Sequence, residues 1–167
     1  MNDPALFTRR ACTAALAGMG LAPAFGATAT ERAPAIELLA NDGQPVLAEG
    51  GKWRALYLDF WASWCGPCKL SFPWMNDLHQ RYASAGLRIV AVGLDKRDAD
   101  AQRFLQQAPA RFPLALDPAA ESAKRLAIQV MPTSLLITPD RNIVFTHRGF
   151  RLEDVPELEA RIKAALA

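Results

Sequence analysis

Between Arg54 and Ala85 the hydrophobic period changes abruptly, and this junction constrains the fold more than any other feature. Residues 54–61, RALYLDFW, form a nearly continuous apolar and aromatic run, the pattern of a strand buried on both faces. From Leu70 to Ala85 the pattern becomes helical, with Leu70, Trp74, Leu78 and Tyr82 recurring every fourth residue along one face. The joint between the two is Trp64-Cys65-Gly66-Pro67-Cys68.

A pair of cysteines two residues apart, placed after a strand and opening a helix, reads as a dithiol/disulfide switch. Cys65 falls at the helix N-terminus, where free backbone N–H groups and the helix dipole favour a thiolate. Cys68 lies one turn further in, close enough to attack a mixed disulfide formed at Cys65. Pro67 presets the first turn without losing a hydrogen bond. Other uses of the pair fit less well. A zinc site usually needs four ligands, and His79 and His147 are the only histidines, with no matching spacing. A purely structural disulfide across so short a loop stabilises little.

The rest of the chain alternates strand and helix. Residues 87–94 (LRIVAVGL) read as a second buried strand, with Gly86 as the C-cap of the preceding helix. Asp98 and Asp100 open a helix to Gln107, residues 112–116 form a short strand, and Asp117-Pro118 starts a third helix to Ala127. Residues 133–138 and 143–147 are strands around the turn Pro139-Asp140-Arg141-Asn142. Residues 153–166 close the chain as an amphipathic helix carrying Val155, Leu158, Ile162 and Leu166. Upstream, residues 36–39 and 46–47 flank Asn41-Asp42-Gly43-Gln44, a hairpin signal, and residues 30–35 form a polar lead-in. This order predicts an α/β sheet with helices on both faces and an antiparallel final hairpin.

Composition narrows the function. The 167 residues suit one domain. At 51% hydrophobic and 22% charged, the chain is not disordered. Nineteen Lys and Arg against 17 Asp and Glu give +2, too balanced for a nucleic-acid binder. Residues 1–29 differ from the rest: Arg9 and Arg10 precede 20 uncharged residues from Ala11 to Thr30 that contain Ala27-Thr28-Ala29. This reads as an export signal, with cleavage after Ala29 or Ala24, and Thr8-Arg9-Arg10 partly matches a twin-arginine start. An uncleaved membrane anchor is the competing reading. Cleavage would remove Cys12 and leave Cys65 and Cys68 in an oxidising compartment.

WCGPC after YLDFWAS, with Met131-Pro132-Thr133 downstream, resembles the thioredoxin superfamily. The exported N-terminus and the extra helix and strand over residues 98–126 resemble its TlpA/ResA-like branch of thiol–disulfide oxidoreductases. The resemblance runs from Ile36 to Ala167. It implies a thioredoxin-like α/β fold over residues 30–167: a central mixed β-sheet flanked by helices on both faces, a helix–strand insertion between two halves, and an N-terminal β-hairpin. It further implies that Cys65 attacks, Cys68 resolves, and Pro132 is a cis-proline beside the disulfide. Met131 would pair its backbone with substrate, and Trp64, Gly66 and Pro67 would form part of the substrate-contacting surface. Asp59 lies where thioredoxins carry a buried acid that helps move the Cys68 proton; a strand-end acid facing water is the other reading. Trp61, Lys69 and Pro73 also fall at thioredoxin positions. The sequence departs from the pattern at Ser71, where cytochrome c-maturing relatives often carry Glu, and at Ala91, where thioredoxin carries a lysine near its buried acid.

The function so implied is an exported, periplasmic reductase of protein disulfides, membrane-anchored if the N-terminal segment is retained. Its partners would be disulfide-bearing client proteins and a membrane electron donor of the DsbD or CcdA kind, with no cofactor and no metal. Two alternatives stand beside it. One is a disulfide oxidase or isomerase on the same fold. The other is a copper-site metallochaperone using Cys65, Cys68 and Met131 as soft ligands.

Overall fold

The computed structural model describes residues 31–47, 50 and 52–167. The export signal expected over residues 1–29, with its twin-arginine and anchor readings, lies outside the described residues. Six strands form one sheet in the order β1-β6-β5-β2-β3-β4. They are β1 (Glu31–Arg32), β2 (Ala55–Trp61), β3 (Leu87–Gly93), β4 (Leu114–Leu116), β5 (Thr133–Ile137) and β6 (Asn142–Arg148). The helices are α1 (Gly66–Tyr82), α2 (Asp98–Gln107), α3 (Glu121–Arg125) and α4 (Val155–Leu166), the last preceded by a 3-10 turn at Leu152–Asp154.

The apolar run at 54–61 becomes the central strand because all seven residues of β2 are buried. β2 runs parallel to β3 and antiparallel to β5, so the sheet is mixed. Alternate residues feed two cores. Tyr57, Trp61, Ile89, Ala91 and Leu136 face α1, α2 and α4. Leu56, Leu58, Phe60, Val90, Val92, Leu135 and Ile137 face α3 and the segment from Ala33 to Leu47.

Three elements differ from the sequence reading. The N-terminal hairpin is reduced to one antiparallel bridge, Leu39 to Pro45, around the Asn41–Gln44 turn. The polar lead-in instead supplies β1, whose Glu31 and Arg32 pair with Ile143 and Asn142 on the edge of the sheet. Helix α1 starts at Gly66, and its buried seam is Cys68, Phe72, Trp74, Met75 and Leu78, with Leu70 exposed. The helix begins where the Cys65 cap and Pro67 place it, but its inward face centres on Phe72 and Met75 and not on Leu70. Helix α3 is a single five-residue helix because Ala120 and Ala127 take left-handed backbone (φ 55 and 51) at its two ends. The Asp117 carboxylate caps its start by accepting the Glu121 and Ser122 N–H groups at 3.1 and 2.8 Å.

Candidate active site

The site grows from the end of β2. Cys65 leaves the strand with extended backbone (φ −85, ψ 105) and is the N-cap of α1, its Sγ accepting the Cys68 N–H at 3.2 Å. Pro67 occupies the first turn, where no N–H is needed. Cys65 and Cys68 form a disulfide with their Cα atoms 5.4 Å apart. Both cysteines are buried, Cys68 completely and Cys65 with 4% of its surface exposed, next to Trp64, which is 72% exposed. Gly66 and Lys69 are exposed in the same first turns. Ser71 is buried, and its hydroxyl donates to the Cys68 carbonyl at 3.1 Å. Pro73 lies within α1, which continues past it to Tyr82.

The loop before β5 carries the second part. The Met131–Pro132 peptide is cis. Its position is held by two bonds: the Thr133 hydroxyl donates to the Val130 carbonyl at 2.7 Å, and the Gly149 N–H donates to the Pro132 carbonyl at 2.8 Å. Gly149 has φ 83, so it acts here as a turn residue. Met131 is half-buried and packs against both cores.

Asp59 sits in the middle of β2 on the same face as Tyr57 and Trp61, the face that α1 covers. It is 1% exposed, so it does not face water. In the sheet it stands opposite Ala91 on β3 and Ser134 on β5. No cation meets it from either neighbour; the Ser134 hydroxyl donates to its Oδ1 at 2.7 Å, and Oδ2 has no protein partner among the described residues. Burial pushes the carboxyl up to about 7, and the Ser134 hydrogen bond opposes that shift. The Tyr57 phenol, buried on the same face of β2, is raised above its ordinary range, by burial first and by the nearby Asp59 carboxylate second.

Of the remaining candidates, His147 pairs with Asp154 at 3.2 Å, and His79 is half-buried near the C-terminal end of α1. Trp61 and Trp74 are core residues. Among the described residues, no three or more His, Cys, Asp or Glu side chains gather as a metal site, and no helix is long and apolar enough to cross a membrane.

A sequence model of the Redoxin family matches residues 28–162. The chain belongs to the Redoxin family. Within that family it is a TlpA/ResA-like member of the thioredoxin superfamily, as its relatives show. It is 29% identical to the thiol–disulfide oxidoreductase ResA of Bacillus cereus over 133 residues, covering 80% of this chain and 76% of that one. ResA of Bacillus subtilis is 28% identical, covering 74% and 69%. Among solved structures, a protein assigned as thiol:disulfide interchange protein DsbE from Chlorobium tepidum superposes with TM-score 0.76 and 42% identity, covering 83% of this chain and 97% of that one. StoA of Bacillus subtilis superposes with TM-score 0.63 and 26% identity, covering 77% and 99%. This Redoxin-family chain is accordingly a protein disulfide oxidoreductase whose redox-active pair is Cys65 and Cys68.

Sequence reasoning missed two groups in this Redoxin-family site. Ser134 is legible only once β5 is set in register against β2. Asp95 is buried at the end of β3 and accepts from Ser63, a contact that spans 32 residues. Its one sequence signal is an acid directly after the apolar run 87–94.

Proposed function

We propose that the chain is an exported reductase of protein disulfides, with Cys65 as nucleophile and Cys68 as resolving thiol. The observation that carries the reading is the placement of Cys65: its Sγ caps the N-terminus of α1 and it keeps 4% exposure beside the exposed Trp64, whereas Cys68 lies one turn further in with none. In the reduced state the Cys65 thiolate is the group that the helix N-terminus stabilises. It attacks one sulfur of a client disulfide; a Cys65–client disulfide forms, and the other client sulfur leaves as a thiolate and takes up a proton. Cys68 then gives up its proton, attacks the Cys65 sulfur, and expels the second client thiolate. Two electrons pass to the client, and Cys65–Cys68 is left as the disulfide seen here. Asp59, beneath the active-site helix with a carboxyl that titrates near neutrality, is the proton acceptor for Cys68. Trp64, Gly66, Pro67, Met131 and Pro132 form the client-contacting surface, with the Met131 backbone as the pairing edge.

The direction follows from Gly66-Pro67, the dipeptide of thioredoxin, whose potential is about −270 mV against about −120 mV for the oxidant DsbA. Export rests on the charge and apolar pattern of residues 1–29. In an oxidising compartment the dithiol is regenerated by a membrane electron donor of the DsbD or CcdA kind. The test is a trap. Cys68→Ala, expressed from the full chain, accumulates client mixed disulfides on Cys65 in the envelope fraction, and Cys65→Ala accumulates none. Trapping on Cys68 instead would reverse the two roles, and clients recovered only in oxidised form by the wild-type protein would make it an oxidase.

A further inference from the structure

The turn that presents Cys65 is held from the neighbouring strand. The Leu94 N–H donates to the Trp61 carbonyl at 3.0 Å, which ties the end of β3 to the end of β2. One residue further on, the Asp95 carboxylate accepts twice from Ser63: from its N–H at 2.8 Å through Oδ2 and from its hydroxyl at 2.6 Å through Oδ1. Asp95 is 6% exposed. The turn then closes on itself, with the Cys65 N–H donating to the Ala62 carbonyl at 3.0 Å. A buried carboxylate is costly unless it is paired or hydrogen-bonded, and among the described residues both side-chain hydrogen bonds of Asp95 go to one residue of the active-site turn.

We propose that Asp95 is a positioning residue for thiol–disulfide exchange, acting through Ser63 to fix the turn that sets Cys65 at the N-terminus of α1 and placing a negative charge behind that turn. The inference rests on Cys65 being the nucleophile. The two parts of the effect have separate consequences. The hydrogen bonds hold the backbone from Ala62 to Cys65, so losing them lets the nucleophile drift from its cap position, and small misplacements of a reacting group are expensive in rate. The charge opposes a thiolate at Cys65, so it disfavours the reduced, ionised form and keeps the pair reducing. Other charges stand near the same turn: Lys69 on α1, bonded to Gln107 at 3.1 Å, Lys96 next in sequence, and Asp59 beneath α1. Only Asp95 bonds to the turn itself among the described residues.

Asp95→Asn keeps the shape and an oxygen acceptor but removes the charge. Asp95→Ala removes both, and Ser63→Ala removes only the hydroxyl donor. Each full-length variant is equilibrated with glutathione buffers to read the redox equilibrium, and kcat/KM is measured on a protein disulfide. Asp95→Asn is expected to shift the equilibrium toward the dithiol by about fivefold with little change in melting temperature. Asp95→Ala is expected to lower kcat/KM by about tenfold or more, and Ser63→Ala by less. In the double variant Ser63→Ala, Asp95→Ala, the losses in kcat/KM should not add, since both remove the same contact. A redox equilibrium that stays at the wild-type value in Asp95→Asn, together with an unchanged kcat/KM in Ser63→Ala, both melting as wild type, would overturn the proposal. So would full additivity in the double variant. The Cys68→Ala trap separates this from failure of the parent reading: if Cys65 captures clients and the Asp95 variants behave as wild type, only the positioning role falls.

Discussion

A carboxyl group that is 1% exposed, with one oxygen bonded to Ser134 and the other without a protein partner, ionises only at a cost. For Asp59 the cost raises the carboxyl from 3.8 to about 7, and desolvation is the cause. The folded protein therefore binds this proton more tightly than the unfolded chain does. The stability associated with the neutral carboxyl is complete below the unfolded value of 3.8 and is lost as the pH rises to about 7. Asp59→Asn removes that loss, so its stability relative to wild type should grow across this window by on the order of 4 kcal/mol. Denaturant titrations at the two ends of the window measure the change. Asp42, Asp100, Asp154 and Glu159, all held below their usual values, act in the opposite sense but are common to both proteins and cancel. A difference that does not vary with pH would mean that Asp59 is not the buried acid. As proton acceptor, Asp59 also predicts a rise in turnover through pH of about 7. Asp59→Asn should abolish that rise and slow resolution of the mixed disulfide by about tenfold or more, read by single-turnover mixing. Ser134→Ala should move the inflection upward, because the Ser134 hydrogen bond opposes the raised value; a downward move would contradict the geometry.

At the scale of elements, α1 shows how far pattern reading reaches. The four-residue recurrence located the helix but put Leu70 on the inward face, whereas Leu70 is exposed and Phe72 is fully buried. Residues 70, 74, 78 and 82 and residues 68, 72, 75 and 78 both satisfy a helical period, and a few residues of phase separate them. Which of the two faces inward is decided by packing, where Phe72 of α1 meets Trp61 of β2 and Phe104 of α2. Stability measurements can check this directly. Phe72→Ala should cost about 3–5 kcal/mol, and Leu70→Ser less than about 0.5 kcal/mol; comparable losses at both positions would show that the face is misassigned. The turn after α1 is a second test. Gly86 has φ 98, and a Cβ there would lie 2.8 Å from Arg54 Cγ. Gly86→Ala is expected to destabilise by about 1–3 kcal/mol in the denaturant midpoint. The redox equilibrium should stay unchanged, because Gly86 lies at the end of β3 away from the cysteines.

At the scale of the whole molecule, the sheet order brings two loops together at one pole. The β2–α1 turn carries Cys65 and the β5 entry carries Pro132, because β5 pairs antiparallel with β2 and Thr133 lies opposite Phe60. The expected property of the assembled site is a reduction potential near the thioredoxin value of about −270 mV, measured by equilibration with defined thiol buffers. A potential near about −120 mV would reverse the direction of electron flow. The cysteine spacing, the helix start at Pro67, the buried run of β2 and the strand–helix alternation were legible in the sequence. Each depends on neighbours within a few residues, and local sterics and periodicity decide them. The tertiary structure alone decided that Asp59 is buried against Ser134, 75 residues away, and opposite Ala91. It alone joined Asp95 to Ser63 and turned a polar lead-in into β1 on the edge of β6. Those contacts depend on strand register and burial, which the packing of the whole sheet settles and no local run of residues encodes.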